Sequence, residues 1–219
     1  MKNTRILPAL LLPVLLAACT DPGQSVPDPL TQPFTGTGSL VNYTPNQTYT
    51  LSVPVTSGTA NVGQIGTDKA VSITVTPDVA QQRARTLTDF VNSVKAAGCD
   101  VTGISLQDTT YRSFSQFDFT TSTGKAATVE ARSEATNADG TVNVTRKSFW
   151  FASTAGRMTG QYVCDGTATT FDIALKPGWN IVDQTSVRNP STATSTNVRY
   201  ANAVSSNTYA GSWYAYTKN

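Results

Sequence analysis

The sequence predicts a mainly β protein, an antiparallel β-sandwich or barrel-like sheet with one amphipathic helix packed on it, and three observations carry that expectation. The 219 residues include 36 Thr, 19 Ser and 13 Asn, short polar side chains that suit strands and turns better than helix interiors. Apolar residues alternate with polar ones at a period of two through most of the chain. Turn signals recur between these stretches at the spacing expected of a sandwich or barrel. With 39% hydrophobic and 14% charged residues, the chain is too apolar for a disordered segment and long enough for one domain with a sizeable core.

The N-terminus comes first. Lys2 and Arg5 precede the apolar run Ile6 to Leu16, which reads as a secretory signal and is too short to span a bilayer, a task that needs about 20 apolar residues. The run ends in Leu16-Ala17-Ala18-Cys19, which resembles the lipobox of bacterial lipoproteins. That resemblance implies cleavage before Cys19, a diacylglyceryl group on its thiol, acylation (palmitate or a similar chain) on its amine, and residence outside the cytoplasm on a membrane. Because Thr20 rather than Asp follows the cysteine, it implies the outer membrane if the cell has one. Residues 1–18 are then the signal peptide and 19–33 the lipidated cysteine and a Pro-rich tether. Pro22, Pro27, Pro29 and Pro33 favour an extended chain with a reach of roughly 45 Å. A single β-rich domain is expected over 34–219.

Within it, Leu51, Val53 and Val55, then Val71, Ile73 and Val75, then Phe117 and Phe119, then Ala127, Val129 and Ala131, then Val142 and Val144 mark half-buried strands. Further strands are expected at 157–164, 170–175, 180–183, 198–204 and 212–217. Turns are expected at Asn61 to Gly66, Ala138-Asp139-Gly140, Asp165-Gly166 and Lys176-Pro177-Gly178. The uninterrupted Phe149-Trp150-Phe151 run predicts a strand buried on both faces. Helical spacing appears once, at Val79, Ala80, Ala84, Leu87, Phe90, Val91, Val94 and Ala97, predicting a helix over about 78–97. Thr76 would cap it and Gly98 would end it, and Thr86 with Asp89 three residues on offers an internal cap.

With Cys19 assigned to lipid, Cys99 and Cys164 remain in an exported chain, and a disulfide between them is expected. A redox or metal role has no Cys-x-x-Cys spacing to support it.

The chain contains no histidine, which excludes Ser-His-Asp triads, Cys-His pairs and histidine metal sites. Of the 16 basic residues, Lys2 and Arg5 lie in the signal, so the remainder equals the 14 acidic residues; no field or basic cluster points to nucleic acid. Thr-x-Thr pairs lack the constant step of an ice-binding solenoid. Glu130, Arg132 and Glu134 alternate with Val129 and Ala131, which reads as a solvated strand face, with a carboxylate-based hydrolase as the rival reading. Asn137, Asp139 and Gly140 sit in a hairpin turn, since Ala135 and Arg146 stand where a calcium loop needs ligands.

The candidate ligand-binding residues are Trp179, Trp213, Tyr214 and Tyr216, flat rings beside polar donors that suit a sugar face. Leu175-Lys176-Pro177-Gly178-Trp179-Asn180 resembles a strand turn found in bacterial surface lipoproteins, which supports the location alone. The expectation is a non-catalytic, lipid-anchored envelope protein with a structural or binding role, without cofactor or metal. Its alternatives are a glycan- or peptidoglycan-binding module using exposed aromatics, and a carboxylate hydrolase. Its partners are the membrane through the anchor and an envelope glycan or protein.

Overall fold

A computed structural model describes residues 27–192 and 194–218; the signal, Cys19 and the first part of the tether lie outside the described residues. In chain order the elements are β1 (Phe34–Leu40), β2 (Tyr49–Val55), β3 (Gly58–Ile65), β4 (Ala70–Val75), α1 (Pro77–Gln81), β5 (Arg85–Thr86), α2 (Leu87–Ala96), β6 (Ser105–Gln107) and β7 (Thr110–Phe114). They continue with β8 (Phe117–Thr120), β9 (Ala126–Thr136), β10 (Val142–Ala152), β11 (Gly156–Cys164), β12 (Thr167–Leu175), β13 (Gly178–Asn189), β14 (Thr194–Ser205) and β15 (Thr208–Thr217).

Seven strands close into a barrel in the order β15, β1, β4, β3, β2, β8, β9, and back to β15. Closure leaves the alternating apolar residues one place to go, so Leu51, Val53, Val71, Ile73, Val75, Phe117, Val129 and Ala131 share one core. The seam between β2 and β8 is the thinnest join, a single pair of Ser52 with Asp118. A second sheet continues from the far half of β9 through β10, β13, β14, β12, β11 and β6, with β7 on the C-terminal half of β10 and β5 on β7. Most pairings are antiparallel as expected, but β1 with β15 and β12 with β14 run parallel.

β10 joins the two cores. Phe149 and Phe151 point into the barrel core, while Trp150 between them points into a second core with Tyr111, Met158, Phe171, Ile173, Leu175 and Val182. The strand predicted to be buried on both faces is therefore the wall the two cores share, and successive side chains on a strand must alternate across it.

The predicted helix over 78–97 is two helices. α1 ends at Gln81, Arg83 takes a left-handed φ of 58°, and Arg85 and Thr86 pair with Tyr111 and Thr110 before α2 begins. Thr86 closes a capping box on α2, accepting from the Asp89 amide at 2.9 Å while the Asp89 carboxylate accepts from the Thr86 amide at 3.2 Å. Leu87 is buried in the second core, and Phe90 and Val91 lie half-buried against it.

Gly58–Ile65 is a strand although Asn61 to Gly66 reads as a turn. Gly63 makes this possible: a Cβ there would stand 2.1 Å from the Ser72 carbonyl oxygen, so only glycine allows β3 and β4 to approach at the irregularity where β2 and β3 shift register. The expected turns at Asp139-Gly140, Asp165-Gly166 and Pro177-Gly178 are present, each with a positive-φ glycine. Cys99 and Cys164 form the disulfide, with Cα atoms 4.5 Å apart. It ties the end of α2 to β11 and, closing a loop of 65 positions, contributes about 4 kcal/mol on the chain-entropy view.

Candidate binding cleft

The aromatic residues singled out from the sequence do not form a platform. Trp213 is 0% exposed; its indole N–H donates to the Thr37 carbonyl at 3.1 Å, and its ring packs against Phe117, Phe149 and Tyr209. Trp179 is 2% exposed. Its indole donates to the Gln32 carbonyl at 3.0 Å, and its ring meets Phe34, Phe114 and Phe151. The cause is strand parity inside a closed barrel, which turns Trp213 inward and its neighbours Tyr214 and Tyr216 outward. Those tyrosines are half-buried beneath the Arg132 guanidinium, 5.9 and 5.0 Å from their ring centres.

The six-residue turn around Trp179 holds the end of the tether. Asn180 closes the turn through its amide, donating to the Lys176 carbonyl at 2.8 Å and accepting from the Lys176 N–H at 2.9 Å. Gly178, at φ 85°, lets the Pro29 backbone approach where a Cβ would stand 2.6 Å from the Pro29 carbonyl oxygen. Leu30 packs on the barrel core. The last residues of the predicted tether are thus seated on the domain, not extended from it.

The Glu130, Arg132 and Glu134 row is a correction as well, because its inner half is not solvated. Glu130 is 2% and Arg132 4% exposed. Glu130 accepts from Arg132 at 2.9 Å and from Arg146 Nε at 3.1 Å, while Glu134 pairs with Arg132 and, at 3.7 Å, with Arg188. β15 and β10 flank β9 there, so Tyr214 and Arg146 cover the face that a lone hairpin would leave wet. Both glutamates of the chain are occupied by arginines.

A cleft of about 360 Å³ opens beside the β2–β8 seam, lined by Pro54 of β2, Arg83 and Arg85 of the segment between the helices, Ser113 and Phe114 of β7, Ser115 and Gln116 of the β7–β8 turn, and Asp118 and Lys218. Arg112 of β7 lines it from below and is 8% exposed. It donates to the Val79 carbonyl at 2.6 Å, the Gln82 carbonyl at 2.5 Å and the Pro54 carbonyl, and lies 4.5 Å from the Phe114 ring. These carbonyls include the open C-terminal end of α1, so Arg112 both terminates that helix and bolts it to the barrel. Burial, and after it the charge of Arg83, push the Arg112 guanidinium below its ordinary value. Arg85 lies 5.0 Å over the Phe90 ring.

Among the described residues Asp118 is the one carboxylate lining the cleft, and Lys218 takes it at 2.8 Å. Among the described residues, Arg83, Arg85 and Arg112 have no carboxylate within ion-pair distance. Four cations facing one anion form a local surplus, and the chemistry open to them is the holding of negative charge. The sequence did not mark these residues. Arg83 falls within the helical stripe and Arg85 opposite it, so the periodicity does not group them, and only the pairing of β5 with β7 brings them to Arg112. No protein-family model, curated protein or solved structure matches the chain.

Proposed function

We propose that this is a non-catalytic, lipid-anchored protein of the bacterial cell envelope that binds a partner through the cationic cleft. The observation that supports the binding role is the set of three arginines at one concave site that, among the described residues, have no carboxylate counter-ion, in a chain whose two glutamates are held by other arginines. A carboxylate hydrolase needs two acids converging on one cleft, and this cleft is lined by Asp118 with cations around it.

The anchor rests on Leu16-Ala17-Ala18-Cys19. No helix among the described residues is long and apolar enough to cross a membrane. Lipid on Cys19 would supply the attachment in this reading. Two or more acyl chains hold far better than one, each buried methylene contributing about 0.8 kcal/mol. The segment Pro29 to Gln32 is seated on the domain, so the domain would stand nearer the membrane than a chain extended over all of 20–33 allows. Detergent-phase partitioning tests the anchor: wild-type protein should enter the detergent phase and Cys19→Ser the aqueous phase, and equal partitioning would overturn it.

A further inference from the structure

We propose that the cleft between α1, β7 and the β2–β8 seam binds an anionic group, a carboxylate or a phosphate, carried on a small hydroxylated molecule. The inference deepens the binding role proposed above and rests on it.

The floor of the site is preorganised. A guanidinium has five N–H donors; three hydrogen bonds to the carbonyls of Val79, Gln82 and Pro54 fix Arg112 in place and leave two donors uncommitted. Carbonyls satisfy hydrogen bonds without cancelling charge, so a buried positive group remains at the base of the cleft. The rim adds Arg83 and Arg85, both exposed. Arg85 is positioned by strand pairing with Tyr111, the residue next to Arg112, and by its stacking on Phe90. Like charges gathered this closely repel one another and lower stability unless an anion offsets them.

Between the cations, Ser113, Ser115 and Gln116 offer neutral donors and acceptors, the groups that recognise hydroxyls. The volume, about 360 Å³, falls at the small end of ligand pockets, which run from about 300 to 1,000 Å³. A single concave site of this size suits one small molecule, whereas a polyanion would need a basic stripe. A guanidinium fork matches carboxylate and phosphate alike, which is why the shared chemistry and not the carrier is specified.

The test is titration calorimetry on the full chain in neutral detergent at low salt, with galacturonate, glucose 6-phosphate and galactose as probes. At least one acid should bind saturably and raise the melting temperature, while galactose should not bind. The galacturonate and phosphate arms identify which anion source the site accepts. Arg85→Gln and Arg83→Gln should each weaken the acid roughly tenfold, the loss of one charge-assisted hydrogen bond. Arg85→Lys should keep part of it, and Arg157→Gln on β11, which does not line the cleft, should change nothing. Both rim arginines are exposed, so their variants should fold, which far-ultraviolet circular dichroism checks; if one does not fold, the other decides. Absence of saturable binding by both acids, equal binding of galactose, or binding indifferent to Arg83 and Arg85 would each overturn the proposal. Anchoring plays no part in this assay, so its failure would leave the Cys19 partitioning result standing.

Discussion

Replacing Glu130 with glutamine tests the buried charge network directly. The Glu130 and Arg132 side chains are each 3% exposed, and the Glu130 carboxylate is shared between Arg132 at 2.9 Å and Arg146 at 3.1 Å. Glu130→Gln keeps the shape but leaves Arg132 to share Glu134 with Arg188 and takes from Arg146 the carboxylate it pairs with, and turns an amide N–H₂ towards guanidinium donors. Removing one partner of a buried pair costs about 3 to 5 kcal/mol, because the remaining charge stays desolvated. Arg146 is 24% exposed and can regain water, which places the expected loss near the lower bound, about 3 kcal/mol. In urea, with a slope of about 2 kcal/mol/M for a domain of this size, the midpoint should fall by roughly 1.5 M. Concentrated salt should alter the difference little, since buried pairs are poorly screened. A loss under about 1 kcal/mol, the value of an exposed pair, would refute the buried network and restore the solvated strand face read from the sequence.

Leu87→Ala, at a fully buried position, should cost about 2 to 5 kcal/mol. Phe90→Ala should cost less, about 2 kcal/mol, because its ring is half-buried against Phe171 and Tyr162; a larger loss at Phe90 than at Leu87 in denaturant melts would contradict the packing of α2. Asp108 accepts from the amides of Thr88 at 3.1 Å and Thr109 at 3.0 Å. Burial pushes its carboxyl up, but these bonds together outweigh burial and hold it below the ordinary 3.8. A depressed folded-state value means stability present above the unfolded value and lost as pH falls through the folded one. Asp108→Asn should therefore flatten the pH dependence of stability below about pH 4, and unchanged acid melts would count against this capping role.

Much of the fold was legible because it depends on neighbours in the chain. Alternation located the strands from Leu51 to Val55, Val71 to Val75 and Ala127 to Ala131, and the both-face burial of Phe149 to Phe151 followed from an apolar run with no polar side. Thr86 and Asp89 announced the start of α2 through a four-residue pattern, and with Cys19 read as a lipid site Cys99 and Cys164 had only each other to pair with. Parity could not say which face of a strand would be inside, so Trp213 and Trp179 could be read as ligand platforms beside the plainer reading as core. Gly63 read as a turn because its reason lies across the sheet, in the Ser72 carbonyl. The helical stripe looked continuous because the break at Arg83 is stabilised by Arg112, a residue from another strand that satisfies the freed carbonyls. Chain closure decided the rest: joining β9 to both β15 and β10 turned a charged row expected in water into a buried ion network. Pairing β5 with β7 likewise gathered three arginines, spread over thirty positions, around one cleft. Burial and electrostatic surplus depend on which strands lie side by side, and long-range pairing settles that through the shared cores instead of through any local pattern.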